Sequence, residues 1–502
     1  MVAEFLGRGR RVDPLPAVAV TVALAVFALQ GVGGRLAHDP AVYAYAGQQV
    51  ADGVPPYVGI LNRAGPLAHL LPGAGAVLGR WTTTDELVAM RALYVVLAAL
   101  AVGAAYLTAR SIYRSTAAGV TAAAVLLSFT AFCQLATSGP REKVPMVLFI
   151  LLGLWAASTS RWAFAGAFVA LTSLTLQTGF SSVFPAVLVA ALAAPERARA
   201  LVRVVLGGAA TTAATGLSLW LAGAWAPFLE GFVLLNLDGR YTHATGFLAD
   251  VPGSWDALVQ GFDGSLPFFL GGLASLPVLT VLAWRRRRED GLRLAALTAG
   301  ALGGVLFILR DFDDTPDTLT VVPFSVLGVA GVVAEVERRV NRAWTWSAVT
   351  GAVTVSLVIA TAHAWDARDE HDLEVQRASV RAMLAALPDG ARIMSAGAPQ
   401  AMVLSGQDSP TRRLTFPRAF IRQIRDQEDE GFSVFLDWFV AQRSELVAVD
   451  PRMRERWASR LTPEYERVGR TLGWVWYARA SLGERTLAEL RRTSRRVSEA
   501  HR

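Results

Sequence analysis

Charge is scarce in this 502-residue sequence: Asp, Glu, Lys and Arg together make up 18% of it, while 53% is hydrophobic. Soluble domains average near 25% charged, so this composition argues against a soluble globule. Cysteine occurs once, as Cys133 inside an apolar stretch, which rules out a disulfide framework and a cysteine-ligated metal cluster. Lysine is also limited to one residue, Lys143, so phosphate recognition falls to arginine. Neither a Walker pattern nor a Rossmann glycine fingerprint in strand–helix context is present. Internal repeats and low-complexity tracts are absent too. The arginines behind the net charge of +7 lie mostly between apolar segments, which makes them a topology signal and argues against a nucleic-acid partner.

What the chain has in quantity is apolar runs. They fall at about 14–33, 90–110, 117–136, 143–159, 162–178, 180–194, 201–223, 266–284, 292–309, 318–335 and 344–364, each near the roughly 20 residues that a spanning helix needs. This predicts an α-helical polytopic membrane protein with about eleven crossings. The pair 162–178 and 180–194 reads either as one broken helix or as two short ones around Gln177, Gly179 and Pro185. If both cross, the basic clusters at Arg8/Arg10/Arg11, Arg110/Arg114, Arg161, Arg197/Arg199/Arg203, Arg285 to Arg288 and Arg338/Arg339/Arg342 share one side. The positive-inside rule makes that side cytoplasmic. The N-terminus is then inside, and the C-terminal region lies outside with the loops at 34–89, 137–142, 224–265 and 310–317. The first run reads alternatively as a cleaved signal peptide, although no A-x-A site follows it.

Three regions follow from the pattern: a membrane region over 1–365, a small extracytoplasmic α/β domain over 366–480, and a polar, mobile tail over 481–502. In the α/β part, a helix at 370–387, strands at Arg392–Ser395, Leu446–Val449 and Trp474–Tyr477, and a helix near 451–460 are expected. In the loop 34–89, Val42, Tyr45, Ala46, Gln49 and Val50 recur at helical spacing after Asp39-Pro40. This predicts a helix lying along the membrane surface, capped by Asp39 with Pro40 in its first turn. Pro55-Pro56 ends it, and the apolar stretch 65–79 returns toward the bilayer.

Charged residues at a membrane surface are usually paired or functional. His38-Asp39-Pro40 with Tyr43 is the first such cluster, and Asp39 reads either as a helix cap or as a general base whose pKa a dry interface raises. In the second, Asn62-Arg63-Ala64-Gly65-Pro66 after Tyr57, Arg63 offers a planar fork of donors to a lipid phosphate, or serves as an ordinary interfacial arginine. The third, Arg141-Glu142-Lys143, reads as a solvated turn flanking a helix or as a site.

In order, these residues resemble the first outer loop of the GT-C superfamily of membrane glycosyltransferases. The segment from Asp39, D-P-A-V-Y-A-Y-A-G-Q-Q-V-A-D-G-V-P-P-Y-V-G-I-L-N-R-A-G-P-L, is similar to that loop's acidic residue, amphipathic helix, G-x-P-Y and basic residue before G-P. The branch it looks most like holds the protein O-mannosyltransferase and aminoarabinose transferase relatives, a family-39-like grouping. The resemblance implies catalytic roles for Asp39 and for Glu142 as second acidic residue. It also implies phosphate contact by Arg63. Arg310, at the end of an apolar run, is a second candidate for the lipid phosphate, and Tyr43, Tyr57 and Arg141 are candidate substrate contacts. Arg63 in place of lysine and Ala64-Gly65-Pro66 in place of a double proline depart from the commoner pattern. Tyr241 and His243, after Asn236, stand where relatives frame the substrate cavity, or form a plain turn. Arg310 to Asp317 packs four carboxylates between two spans, and Asp313, Asp314 and Asp317 are candidate divalent-metal ligands, though a solvated acidic loop explains them too.

The expected activity is transfer of a sugar from a polyprenyl-phosphate donor to an acceptor hydroxyl on a glycan, glycolipid or protein, at the outer face of the plasma membrane. The resemblance implies inversion in a single displacement. No cofactor is required by the sequence. A transporter or flippase of lipid-linked saccharides and a non-catalytic scaffold are the rivals. The first is disfavoured because ionisable residues are almost absent inside the apolar runs.

Overall fold

A computed structural model describes residues 13–238, 246–288, 290–416, 418–427 and 431–499. The apolar runs and two segments of the loop 34–89 become helices: α1 Leu15–Gln30, α2 His38–Ala51, α3 Leu67–Trp81, α4 Glu86–Tyr113, α5 Thr116–Ser128, α6 Thr130–Ser138, α7 Lys143–Ser158, α8 Trp162–Thr175, α9 Phe180–Leu192 and α10 Arg197–Leu221. Further helices at Val251–Phe262, Leu266–Arg285, Gly291–Arg310, Val322–Glu337 and Arg342–Ala367 complete the bundle. Among the described residues, five helical stretches are long and apolar enough to cross a membrane, or six if the bent pair α5–α6 counts as one span. The count of eleven therefore stands only as an expectation. α1, α7, α8 and α9 are shorter apolar helices; sixteen residues, the length of α1 and α7, rise only about 24 Å. α8 and α9 are two separate helices, divided by the 3₁₀ turn Gln177–Gly179.

Small residues let these helices approach closely, as lipid-embedded packing requires. A Cβ at Gly166 would fall 1.9 Å from the Val204 carbonyl oxygen, and one at Gly207 would fall 1.9 Å from that of Ala163. α8 and α10 thus touch backbone to backbone. The outer face of α10 leaves Val205, Leu206, Leu217 and Trp220 exposed, as a lipid-facing surface does.

After Arg342–Ala367 comes the helix Asp372–Ala385, then a four-stranded sheet of β1 Ile393–Ala396, β2 Leu446–Val449, β3 Tyr465–Thr471 and β4 Trp474–Arg479, in the order β1-β2-β4-β3. β1 and β2 are parallel; the other two pairings are antiparallel. The tail expected to be mobile is instead a helix, Glu484–Glu499, which buries Leu487 and Leu490. An arginine-rich composition hid this amphipathic stripe.

α2 does not leave one face open. Tyr43 joins the bundle core beside Phe27 and Tyr94, while Ala41, Ala44 and Tyr45 share a core with Leu373, Ile393, Trp474 and Trp476 of the C-terminal region. α2 is therefore packed on both sides. Gln376 fastens the arrangement: its Oε1 accepts from the Leu36 amide at 2.9 Å, and its Nε2 donates to the Leu36 carbonyl at 3.1 Å and the Leu472 carbonyl at 2.9 Å.

Candidate active site

The first turn of α2 carries Asp39, but Asp39 does not cap the helix. The cap position is Ala37, with no side-chain hydrogen bond, and His38 and Asp39 are already helical. The Asp39 carboxylate points instead at basic side chains: Oδ2 lies 2.9 Å from Arg141 Nη1 and Oδ1 lies 2.9 Å from His38 Nδ1. The Arg141 guanidinium holds the Asp39 carboxyl well below the usual carboxylate range, more than offsetting burial, with His38 and Lys143 adding to the effect. The expectation of a raised pKa is overturned: the interface is dry but not empty of positive charge. Asp39 is ionised, and 49% of its side-chain surface stays open.

Arg141 and Glu142 sit between α6 and α7 on a short loop, and Glu142 is only 2% exposed. Its Oε2 lies 3.3 Å from Arg141 Nε, yet neither atom has a hydrogen-bond partner among the described residues. Glu142 is thus a buried, under-satisfied carboxylate, unlike a solvated turn. Tyr43 faces it, and burial together with the Glu142 charge pushes the Tyr43 phenol well above its ordinary value. Burial opposes the charge on Arg141, but Asp39 and Glu142 overcome it and keep the guanidinium firmly protonated.

The loop's position depends on a residue that sequence reasoning missed. Arg91, fully buried near the start of α4, donates to the carbonyls of Gly139 at 3.0 Å and Ser138 at 3.4 Å on one side. On the other it reaches those of Val32 at 2.5 Å, Gly34 at 2.8 Å and Arg35 at 3.4 Å. It ties the end of α1 to the loop that presents Arg141 and Glu142. The available signal was an arginine just inside an apolar run.

Arg63 follows Tyr57, whose side chain is turned into the protein. Tyr57 is fully buried, donates its hydroxyl to the Ala64 carbonyl at 2.7 Å, and packs on His69 and Phe228 with centroids 4.4 and 5.7 Å away. It shapes the loop. Arg63 Nε donates to Asn236 Oδ1 at 3.1 Å, and Asn236 Nδ2 donates back to the Arg63 carbonyl at 2.9 Å. Gln177 Nε2 holds the same Oδ1 at 2.9 Å. Burial depresses the Arg63 pKa, and Asp311 and Asp313 only partly restore it. No carboxylate among the described residues forms an ion pair with Arg63 or with the exposed Arg310.

The acidic segment connects the two halves. Burial first, then Asp313 and Asp317, raise the Asp311 pKa, while Arg63 and Arg310 lower it. Asp317 pairs with Lys143, Nζ to Oδ1 at 2.5 Å, and accepts from the amides of Asp313 at 2.8 Å and Asp314 at 3.4 Å. Asp314 caps the turn Thr315–Thr320. Two of the three metal candidates are therefore engaged in pairing and capping, and among the described residues no three acidic, His or Cys side chains converge. Tyr241 and His243 lie outside the described residues. Beside His38, a cavity of about 680 Å³ opens between the outer loop and the C-terminal region, with Arg35, Gln400, Arg452, Arg470 and Gly473 on its walls.

No family model matches the sequence, and no curated protein matches it. The fold is similar to those of two solved proteins, an ArnT and an oligosaccharyltransferase. ArnT from Cupriavidus metallidurans superposes with a TM-score of 0.61 in the apo state, at 13% identity over 93% of this chain and 98% of that one. The same protein bound to undecaprenyl phosphate gives 0.60 over the same shares. The Archaeoglobus fulgidus oligosaccharyltransferase in the apo form gives 0.54 at 12% identity, over 94% of this chain and 75% of that one.

Proposed function

We propose that the protein is a membrane glycosyltransferase that moves a sugar from a polyprenyl-phosphate donor to an acceptor hydroxyl, on the extracytoplasmic side, with inversion. The observation that carries this reading is Arg63: a partly desolvated guanidinium held by Asn236, with Asp311 and Asp313 near enough to feel its charge but no carboxylate in direct ion pair with it among the described residues. Such a group is built to receive an anion. The ArnT structure with undecaprenyl phosphate supports a lipid phosphate as that anion.

In the reaction, the bond between the anomeric carbon and the phosphate oxygen breaks, and its electron pair leaves with the polyprenyl phosphate. Arg63, with Arg310 nearby, offsets the charge that develops there. The acceptor oxygen forms the new bond from the opposite face. Its hydroxyl hydrogen-bonds the exposed edge of the Asp39 carboxylate, at a lone pair that Arg141 and His38 leave over, and loses its proton late, once bonding to the anomeric carbon has made it acidic. A carboxylate of low pKa suits that role, because a strong base is not needed when the proton is already acidic. Glu142 and Tyr43 keep Arg141 in place and so set how far Asp39 is stabilised. The acceptor enters through the cavity beside His38.

The test is sugar transfer by the purified full chain from a panel of polyprenyl-phosphate sugars, with released polyprenyl phosphate as the readout. Release that depends on Arg63 supports the reading. Release equal in wild type and Arg63→Ala, or movement of intact donor across vesicles without cleavage, overturns it.

A further inference from the structure

The end of the bundle opposite Asp39 holds a second built cavity. α4 runs from the Arg91 end to Tyr113, a rise of about 42 Å for its 28 residues, and Gly291–Arg310 runs back the other way. Where α4 ends and Gly291–Arg310 begins, a cavity of about 400 Å³ is lined by Arg114, Arg288, Arg293 and Arg338 with the single carboxylate Asp290. Asp290 is already shared by Arg288 at 2.6 Å and Arg338 at 2.8 Å. Glu335, just behind, takes Arg286, Arg288, Arg338 and Arg339. Arg114 and Arg293 have no carboxylate partner among the described residues; Arg293 reaches only the Ile112 carbonyl, at 3.4 Å.

This basic cavity adjoins a second one with largely apolar walls. A crevice of about 190 Å³ shares Ile112 and Arg293 with it and runs on between Leu154, Trp162, Ala190 and Leu297. Uncompensated guanidinium groups beside an apolar slot between spanning helices match a molecule with an anionic head and a hydrocarbon tail. We infer that this pair of cavities binds an anionic phospholipid of the opposite leaflet, phosphate among the arginines and one acyl chain in the crevice. The position is some 30 Å from the Arg310 end of Gly291–Arg310, so this lipid is not the sugar donor.

Native mass spectrometry of the full chain in mild detergent tests this, with dioleoylphosphatidylglycerol, dioleoylphosphatidylcholine and inorganic phosphate as probes. The expected result is one phosphatidylglycerol retained at least tenfold better than phosphatidylcholine. Arg114→Gln with Arg293→Gln should abolish that preference at an unchanged melting temperature. Ala190→Phe, which fills the crevice and leaves the charges intact, should reduce retention of the same lipid. Equal retention of both lipids, or a preference that survives the arginine substitutions, overturns the inference. Displacement of the lipid by millimolar phosphate, with Ala190→Phe behaving as wild type, also overturns it and marks the site as one for a soluble anion.

Discussion

Asp39→Asn separates structure from chemistry, because Asn keeps the shape and loses the charge. Were Asp39 a helix cap, the change would cost a few tenths of a kcal/mol. The geometry gives a larger figure. Asp39 is one of two carboxylates on Arg141, whose side chain is only 13% exposed. Breaking a buried pair typically costs about 3–5 kcal/mol. Here the carboxylate is half open and Glu142 remains beside the guanidinium, so about 1–2 kcal/mol is expected. Turnover should fall on the order of a hundredfold or more if Asp39 receives the acceptor proton. The pH dependence has a definite sign: a carboxyl whose folded pKa is depressed contributes stability above its unfolded value, and loses it as pH falls toward the folded one. The difference in melting temperature between wild type and Asp39→Asn should thus stay constant from neutral pH down to about pH 4, and shrink only below that. Thermal denaturation across this range, alongside transfer assays, gives both quantities. A difference that already collapses between pH 7 and 5 refutes the Arg141 pairing, and full transferase activity refutes the catalytic role.

Arg63→Ala should raise the donor KM at least tenfold with little loss of folding, and Arg63→Lys should restore part of it; titrating donor at saturating acceptor checks both. Asn236→Ala releases the guanidinium from behind and should raise donor KM less than Arg63→Ala does, with turnover at saturating donor near wild type. Arg91→Met leaves several buried carbonyls without a donor and should cost about 3 kcal/mol or more by chemical denaturation, with turnover falling more than donor affinity. A reporter active only after export, fused behind the helix Glu484–Glu499, should be active; activity of a cytoplasm-only reporter there refutes the crossing parity.

Short-range patterns were readable from the sequence, and long-range partners were not. Apolar runs gave the bundle helices, and the order Asp39, Arg63, Glu142 gave the candidate site, because each depends on neighbours in the chain or on a motif. The cap assigned to Asp39 failed because a carboxylate before proline looks the same whether it faces an amide or Arg141, about a hundred residues away. The partners of Tyr57 were hidden for a similar reason: G-x-P-Y does not say that the ring packs on His69 and Phe228. The clamp of Asn236 on Arg63 and the stitch of Gln376 to Leu36 join segments with no shared periodicity. Arg91 was the hardest to see, since its five acceptors are backbone carbonyls and carry no residue identity.

Lys143 is the only lysine in the chain, 6% exposed and paired with Asp317. Its ε-amino group is therefore a built-in reporter of whether the candidate site is closed. A lysine-specific protease can cut the chain at one peptide bond only, and that bond opens to it only when α7 frays from the acidic segment. Acylation of Lys143 by an amine-reactive reagent follows the same opening. The rate of either reaction, measured with and without a polyprenyl-phosphate ligand, gives the opening equilibrium of the site without any mutation, label or assay of turnover.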